Sequence, residues 1–230
     1  MRAVSAYLYA SAMIILAACG ENTAPTASPQ ATLPAAQGQP VTDTRPVIVV
    51  LGDSLTAGYQ LPPGNALPAA IQRDLDAKGV RAKLVNAGVS GDTTADGLNR
   101  YDFSVTGSNA KVLVVALGAN DFLNRLPAET PRKNLTAILE KAKADRLTVA
   151  LLGVALPEGA APSDGREAAY AEIYPDLAKQ YGIPYYPNML GAIAGKPQLI
   201  QQDGVHPTAE GVEAMAAGIT DFLAPLIPPR

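Results

Sequence analysis

Residues 47 to 59 read VIVVLGDSLTAGY. Five apolar residues, four of them β-branched, run straight into Gly-Asp-Ser and then into a helix-compatible LTA. An uninterrupted apolar run of this length, with no polar alternation, suits a strand covered on both faces. The polar triplet that ends it is a strand-to-helix junction. Ser54 has two readings there, a helix-capping hydroxyl or a nucleophile, and this stretch alone does not separate them.

The same grammar repeats along the chain. Further short apolar runs occur at Lys83–Asn86, Lys111–Leu117, Leu147–Leu152 and Ile183–Tyr186, each bounded by Gly, Pro, Asn or Asp. Helical patterns alternate with them. Leu67, Ala70, Ile71 and Leu75 share one face, with Gly79 as a stop. Thr130-Pro131 reads as an N-cap followed by proline at the first helical position, after which Leu135, Ile138, Leu139 and Ala142 line a face. A third helix is expected over Arg166–Tyr181, kinked or broken by Pro175. The last is expected from Pro207 to Leu223, with Val212, Met215, Ile219 and Phe222 inward. Strands alternating with helices predict an α/β fold: a three-layer α/β/α sandwich around a mostly parallel central sheet. Ligands bind such sheets at the carboxyl ends of the strands. GDS at 52–54, SGDT at 90–93 and GAND at 118–121 sit where strand runs end, and DGVH at 203–206 precedes the last helix.

Composition narrows the chemistry. Of 230 residues, 48% are apolar and 17% charged, as in a globular protein, and the net charge of -3 with no basic run argues against nucleic acid as a partner. One cysteine and one histidine exclude internal disulfides and leave no Cys/His metal site. The sole cysteine, Cys19, ends LAAC (16–19) after a short apolar run preceded by Arg2. This segment resembles the lipobox of bacterial lipoproteins, in which the cysteine is lipidated. We therefore expect a signal peptide at 1–18, a Pro/Ala/Thr-rich flexible tether at 19–45 and a folded domain at 46–230. A coil of that tether's length spans roughly 25–30 Å. Gly20, rather than an acidic residue, fits the outer-membrane pattern.

A serine needs a base near neutral pH, and His206 is the one imidazole available. Asp203 precedes it by three residues, within reach of the ring nitrogen facing away from the serine. The plainer alternatives are a helix-start histidine before Pro207 and a turn aspartate before Gly204. An oxyanion needs donors: the Ser54 amide, a backbone amide at Gly91 and the Asn120 side chain are candidates, against turn roles for the last two. The G-x-S-x-G elbow, the Walker loop and the dinucleotide fingerprint are absent from the sequence.

Four segments in order, GDSLTAGY (52–59), NAGVSGDTT (86–94), LGAND (117–121) and DGVHPTAEG (203–211), resemble the blocks of the SGNH hydrolases, or GDSL esterases/lipases. Within them the chain is most similar to the bacterial thioesterase I/arylesterase/lysophospholipase group, which ALPE (155–158) and IYPDLAKQYGIP (173–184) also match. The likeness covers about residues 46–226. It implies a flavodoxin-like fold and an acyl-enzyme mechanism without cofactor. Ser54 would be the nucleophile and Asp203 and His206 the rest of the triad. Ser54, Gly91 and Asn120 would form the oxyanion hole, with Gly91 preferred to Gly88. The implied activity is hydrolysis of aryl and acyl esters and thioesters, with lysophospholipids among the substrates. The alternatives are a carbohydrate O-acetyl esterase and a silent lipid- or sugar-binding lipoprotein. FLNRLP (122–127) and residues 156–165 are expected to line the acyl pocket. A monomer anchored by Cys19 in the periplasm is expected, where acyl-CoA is not a natural substrate.

Overall fold

The computed structural model describes residues 43–155 and 165–229. Cys19, the segment 1–18 and nearly all of the 19–45 tether lie outside the described residues, as do residues 156–164. The described residues contain no helix long and apolar enough to cross a membrane.

A five-stranded sheet forms the centre. Its strands are β1 (Val47–Gly52), β2 (Lys83–Gly88), β3 (Ala110–Ala116), β4 (Thr148–Leu152) and β5 (Tyr185–Tyr186). All pairings are parallel and the order is β2-β1-β3-β4-β5. Strand order reverses at β1, which lies between β2 and β3, so the loops leaving β1 and β3 diverge and open a crevice at the sheet's carboxyl edge.

Alternate residues of β1 serve the two sides. Ile48 and Val50 join one apolar cluster with Leu67, Ile71 and Leu75 of α2 (Leu67–Ala77) and Val212, Met215 and Ile219 of α9 (Ala209–Leu223). Val49 and Leu51 face a second cluster, with Leu135 and Ile138 of α6 (Glu129–Ala144) and Ile173 and Leu177 of α8 (Ile173–Tyr181). These five core positions of β1 and α2, Ile48, Leu51, Leu67, Ile71 and Leu75, are fully buried. Each such side chain stabilises the fold by about 1.5–3 kcal/mol. The sandwich has helices on both sides, as the alternation of elements predicts. β2 is an edge strand and only partly covered.

The helix ends differ in two places from the sequence reading, and in a third the expected break is present. Thr130 is not the N-cap of α6: the helix starts at Glu129, with Ala128 in the capping position and no side-chain cap. Pro131 therefore falls at the third position, harmless because the first four amides have no intrahelical acceptor anyway. The expected Arg166–Tyr181 helix is broken into α7 (Glu167–Ala171) and α8 at Glu172. Pro175 would press its ring on the carbonyl four residues back, that of Ala171, where α7 stops. The last helix begins at Ala209, because the Thr208 hydroxyl accepts from the Gly211 amide and caps it. Phe222 is only partly buried and packs on Tyr186.

Candidate active site

Ser54 is the first residue of α1 (Ser54–Ala57), a single helical turn that follows β1 after one residue. That residue, Asp53, is the cap: its Oδ1 accepts the Leu55 amide at 3.0 Å. The capping task thus falls to Asp53 and leaves the Ser54 hydroxyl free. Asp53 is buried, and within the described residues its Oδ2 has no hydrogen-bond partner. Burial pushes its carboxyl up to about 6, against the pull of the Leu55 amide and of His206.

His206 arrives from the far end of the chain. Asp203 Oδ1 accepts the amides of Val205 (2.9 Å) and His206 (3.0 Å), which folds DGVH into a tight turn. Asp203 Oδ2 lies 2.7 Å from His206 Nδ1, and His206 Nε2 lies 2.8 Å from Ser54 Oγ. A carboxylate only accepts, so Nδ1 carries the proton and Nε2 is left to accept the Ser54 O–H. Partial burial pushes the Asp203 carboxyl up, but the His206 and Val205 amides and the imidazole outweigh it and hold the group below the usual carboxylate range. Gln201 braces the turn: its amide donates to the His206 carbonyl at 2.7 Å. Its side-chain Nε2 donates to the carbonyls of Tyr59 (3.0 Å) and Pro207 (2.8 Å). The Tyr59 ring lies against the imidazole, with centroids 4.4 Å apart.

The other two sequence blocks supply the opposite wall. Gly91 lies in the loop between β2 and α3 (Thr94–Asn99) with φ +89°, and the space where a Cβ would project is empty for 4 Å. Gly88 does a different job. A Cβ there would sit 2.4 Å from the Ala57 nitrogen, so it is the glycine that lets α1 pack onto β2. Asn120, in α5 (Ala119–Leu123), donates from Nδ2 to the Asp92 carbonyl at 2.9 Å, which fixes the amide and leaves its second N–H for the cleft. Asp121 locks these loops together. It is fully buried and accepts from the Thr94 amide (2.8 Å) and hydroxyl (2.6 Å), while Asn134 of α6 donates to Thr94 Oγ1 at 3.0 Å.

Ser54, Gly91, Asn120 and His206 all line one open cleft of about 180 Å³, with Leu55, Tyr59, Leu123 and Val205 as its apolar surface. The structure therefore brings Ser54, Asp203, His206, Gly91 and Asn120 together. From FLNRLP, Leu123 reaches the cleft, whereas Phe122 packs edge-on against Tyr170. Tyr59, Gln201 and Asp121 were not singled out in the sequence. Asp121 had a signal, a carboxylate in the polar GAND block a few residues after a buried strand; Gln201 had none, since a brace on backbone carbonyls needs no motif. A hydroxyl, a neutral imidazole and an oriented carboxylate in series, beside amide donors, is machinery for acyl transfer.

The comparisons agree with that chemistry. A sequence model of the GDSL-like lipase/acylhydrolase family matches residues 50–214. The chain is 32% identical over 182 residues to the thioesterase 1/protease 1/lysophospholipase L1 of Escherichia coli K12, covering 78% of this chain and 84% of that one. It is 31% identical over 165 residues to an arylesterase of Vibrio mimicus, covering 71% and 80%. The crystal structure of AlinE4, an SGNH-hydrolase family esterase, superposes with a TM-score of 0.65 at 38% identity, over 80% of this chain and 98% of that one. With the family model spanning most of the folded unit and relatives above 30% identity covered over most of their length, this chain belongs to the GDSL-like lipase/acylhydrolase family and is a serine hydrolase of the SGNH type.

Proposed function

We propose that the protein hydrolyses carboxylic esters and thioesters of small acyl and aryl substrates through an acyl-enzyme on Ser54. The observation that carries this reading is the unbroken relay from Asp203 Oδ2 to His206 Nδ1 (2.7 Å) and from His206 Nε2 to Ser54 Oγ (2.8 Å). His206 takes the Ser54 proton as Oγ attacks the carbonyl carbon. Asp203 holds the imidazole in register and stabilises the imidazolium. The amides of Ser54 and Gly91 and the Asn120 side chain receive the oxyanion. His206 then protonates the departing alcohol or thiol, and next draws a proton from the water that releases the acid. The activities named for the Escherichia coli and Vibrio mimicus relatives support aryl esters, thioesters and lysophospholipids as the substrate classes to try. The open cleft, with Leu55, Tyr59, Leu123 and Val205 in its lining, suits such acyl groups.

The reading extends to location. The LAAC pattern ending in Cys19 supports a periplasmic, lipid-anchored protein on a 19–45 tether. Fatty-acid labelling that persists in Cys19→Ser would end the anchoring part.

For the chemistry, the test is covalent. A fluorophosphonate should label Ser54, and Ser54→Ala should lose both labelling and hydrolysis of a p-nitrophenyl ester. Wild-type turnover by folded Ser54→Ala would overturn the mechanism.

A further inference from the structure

We infer that Arg100 is a positioning residue that sets the geometry of the oxyanion hole, although it does not reach the cleft itself. The inference rests on the acyl-transfer reading above. Arg100 lies at the junction between α3 and α4 (Tyr101–Ser104), and its guanidinium turns back under the loop that carries Gly91. There it makes three contacts. Nε donates to Asp92 Oδ2 at 2.6 Å, Nη2 to the Gly52 carbonyl at 2.9 Å and Nη1 to Ser104 Oγ at 3.1 Å.

Each of the first two contacts ends beside a proposed oxyanion donor. Asp92 follows Gly91 directly, and its own carbonyl is the acceptor that orients the Asn120 amide at 2.9 Å. Gly52 stands two residues before Ser54, at the end of β1, and its carbonyl also receives the Val89 amide at 3.1 Å. One planar cation therefore ties the β1 end to the β2–α3 loop, and through Asp92 to Asn120. These are the three segments from which the donors come.

The ion pair differs in kind from the surface pairs. The side chains of Arg100 and Asp92 are 19% and 12% exposed, against 49% and 51% for Arg73 and Glu213. Shielded from water, the charge-assisted bonds hold their geometry, and guanidinium can reach three acceptors in a fixed plane where an ammonium cannot. Donor placement matters because an oxyanion donor is worth most when preset at the position of the developing charge.

Removing the fork should therefore reduce turnover rather than substrate binding, and act through Asn120. Arg100→Met is expected to lower kcat per fluorophosphonate-titrated site about ten- to a hundredfold, with KM changed less than about threefold, below the roughly hundred- to thousandfold loss for outright removal of one oxyanion donor because the donor is displaced and not deleted. Arg100→Lys should recover only part of the loss. The deciding measurement is a double-mutant cycle. In an Asn120→Ala background, Arg100→Met should cost less than about fivefold further, since the donor it orients is already gone. Fully multiplicative losses in that cycle, or a loss confined to the titrated fraction with normal kcat per site, would overturn the inference. Should Arg100→Met fail to fold, Asp92→Asn leaves the arginine in place and must show the same coupling to Asn120. The parent mechanism is read separately, from Ser54→Ala, so either idea can fail without the other.

Discussion

Asp53 and Ser54 are adjacent but live in opposite environments: one carboxyl sealed beneath α1, one hydroxyl in the cleft. Asp53 has a folded pKa of about 6, above the usual carboxylate value of 3.8. A raised folded pKa means the native state holds its proton longer than the unfolded chain. The stabilisation from this group is full below about pH 4 and is lost as pH rises through about 6. On the order of 3 kcal/mol should vanish across that window. Asp53→Asn keeps the capping oxygen and should flatten this part of the profile in urea unfolding from pH 4 to pH 7. An equal fall in both proteins would count against the assignment. Asp203 contributes with the opposite sign, losing its stabilisation as pH falls, because its folded pKa is depressed.

The two glycines of the second block make a paired prediction. Gly88→Ala drives a Cβ into the Ala57 backbone and should cost about 1–3 kcal/mol of stability. Gly91→Ala meets no atom but keeps φ +89°, so it should cost about 1 kcal/mol in stability and on the order of tenfold in kcat. Chemical unfolding beside steady-state kinetics separates them; the reverse pattern would exchange their roles. The choice between these glycines was not legible from their spacing. It came from the resemblance, and a physical reason appears only once α1 is packed on β2.

Among the helices, α3, α5 and α6 are held to one another by a buried polar knot rather than by apolar contact alone. Thr94→Val removes the hydroxyl that Asp121 accepts at 2.6 Å and that Asn134 donates to. We expect a loss of about 1.5–3 kcal/mol in denaturant unfolding, the range for a hydrogen bond to a charged group. Arg73→Ala, which breaks the half-exposed pair with Glu213, should change stability by less than about 1 kcal/mol. Similar costs for the two would mean that burial does not govern these contacts. Strands were easy to read because β1, β3 and β4 are buried on both faces and show it as apolar runs. Helix ends were harder. Thr130-Pro131 imitates a cap, yet Ala128 starts the helix without one, and Thr208 caps α9 where Pro207 had seemed the start. Capping is decided by one backbone angle and one side-chain bond, and many Ser or Thr residues offer both.

The molecule as a whole is organised by strand order, and most of that order was implied by alternation along the chain. The meeting of the loops after β1, β2 and β3 was legible as topology, whereas DGVH joined them in the sequence reading through the single histidine of the chain and the resemblance. The braces behind them were not legible, because Arg100 and Gln201 act on backbone carbonyls, whose positions exist only after folding. The described residues from Asp43 onward form one compact unit. A chain beginning at residue 43 should therefore unfold cooperatively, with a Tm within a few degrees of the full chain and unchanged turnover of a soluble p-nitrophenyl ester. Loss of cooperativity on truncation would show that the preceding residues belong to the fold.

Ser54 and His206 touch although they stand 152 positions apart in the chain. During synthesis the serine is therefore made well before its base. Until the DGVH turn has been added and has folded back beside the first strand, the polypeptide carries an unarmed serine, so the relay is itself a report that residues 47 to 206 have come together.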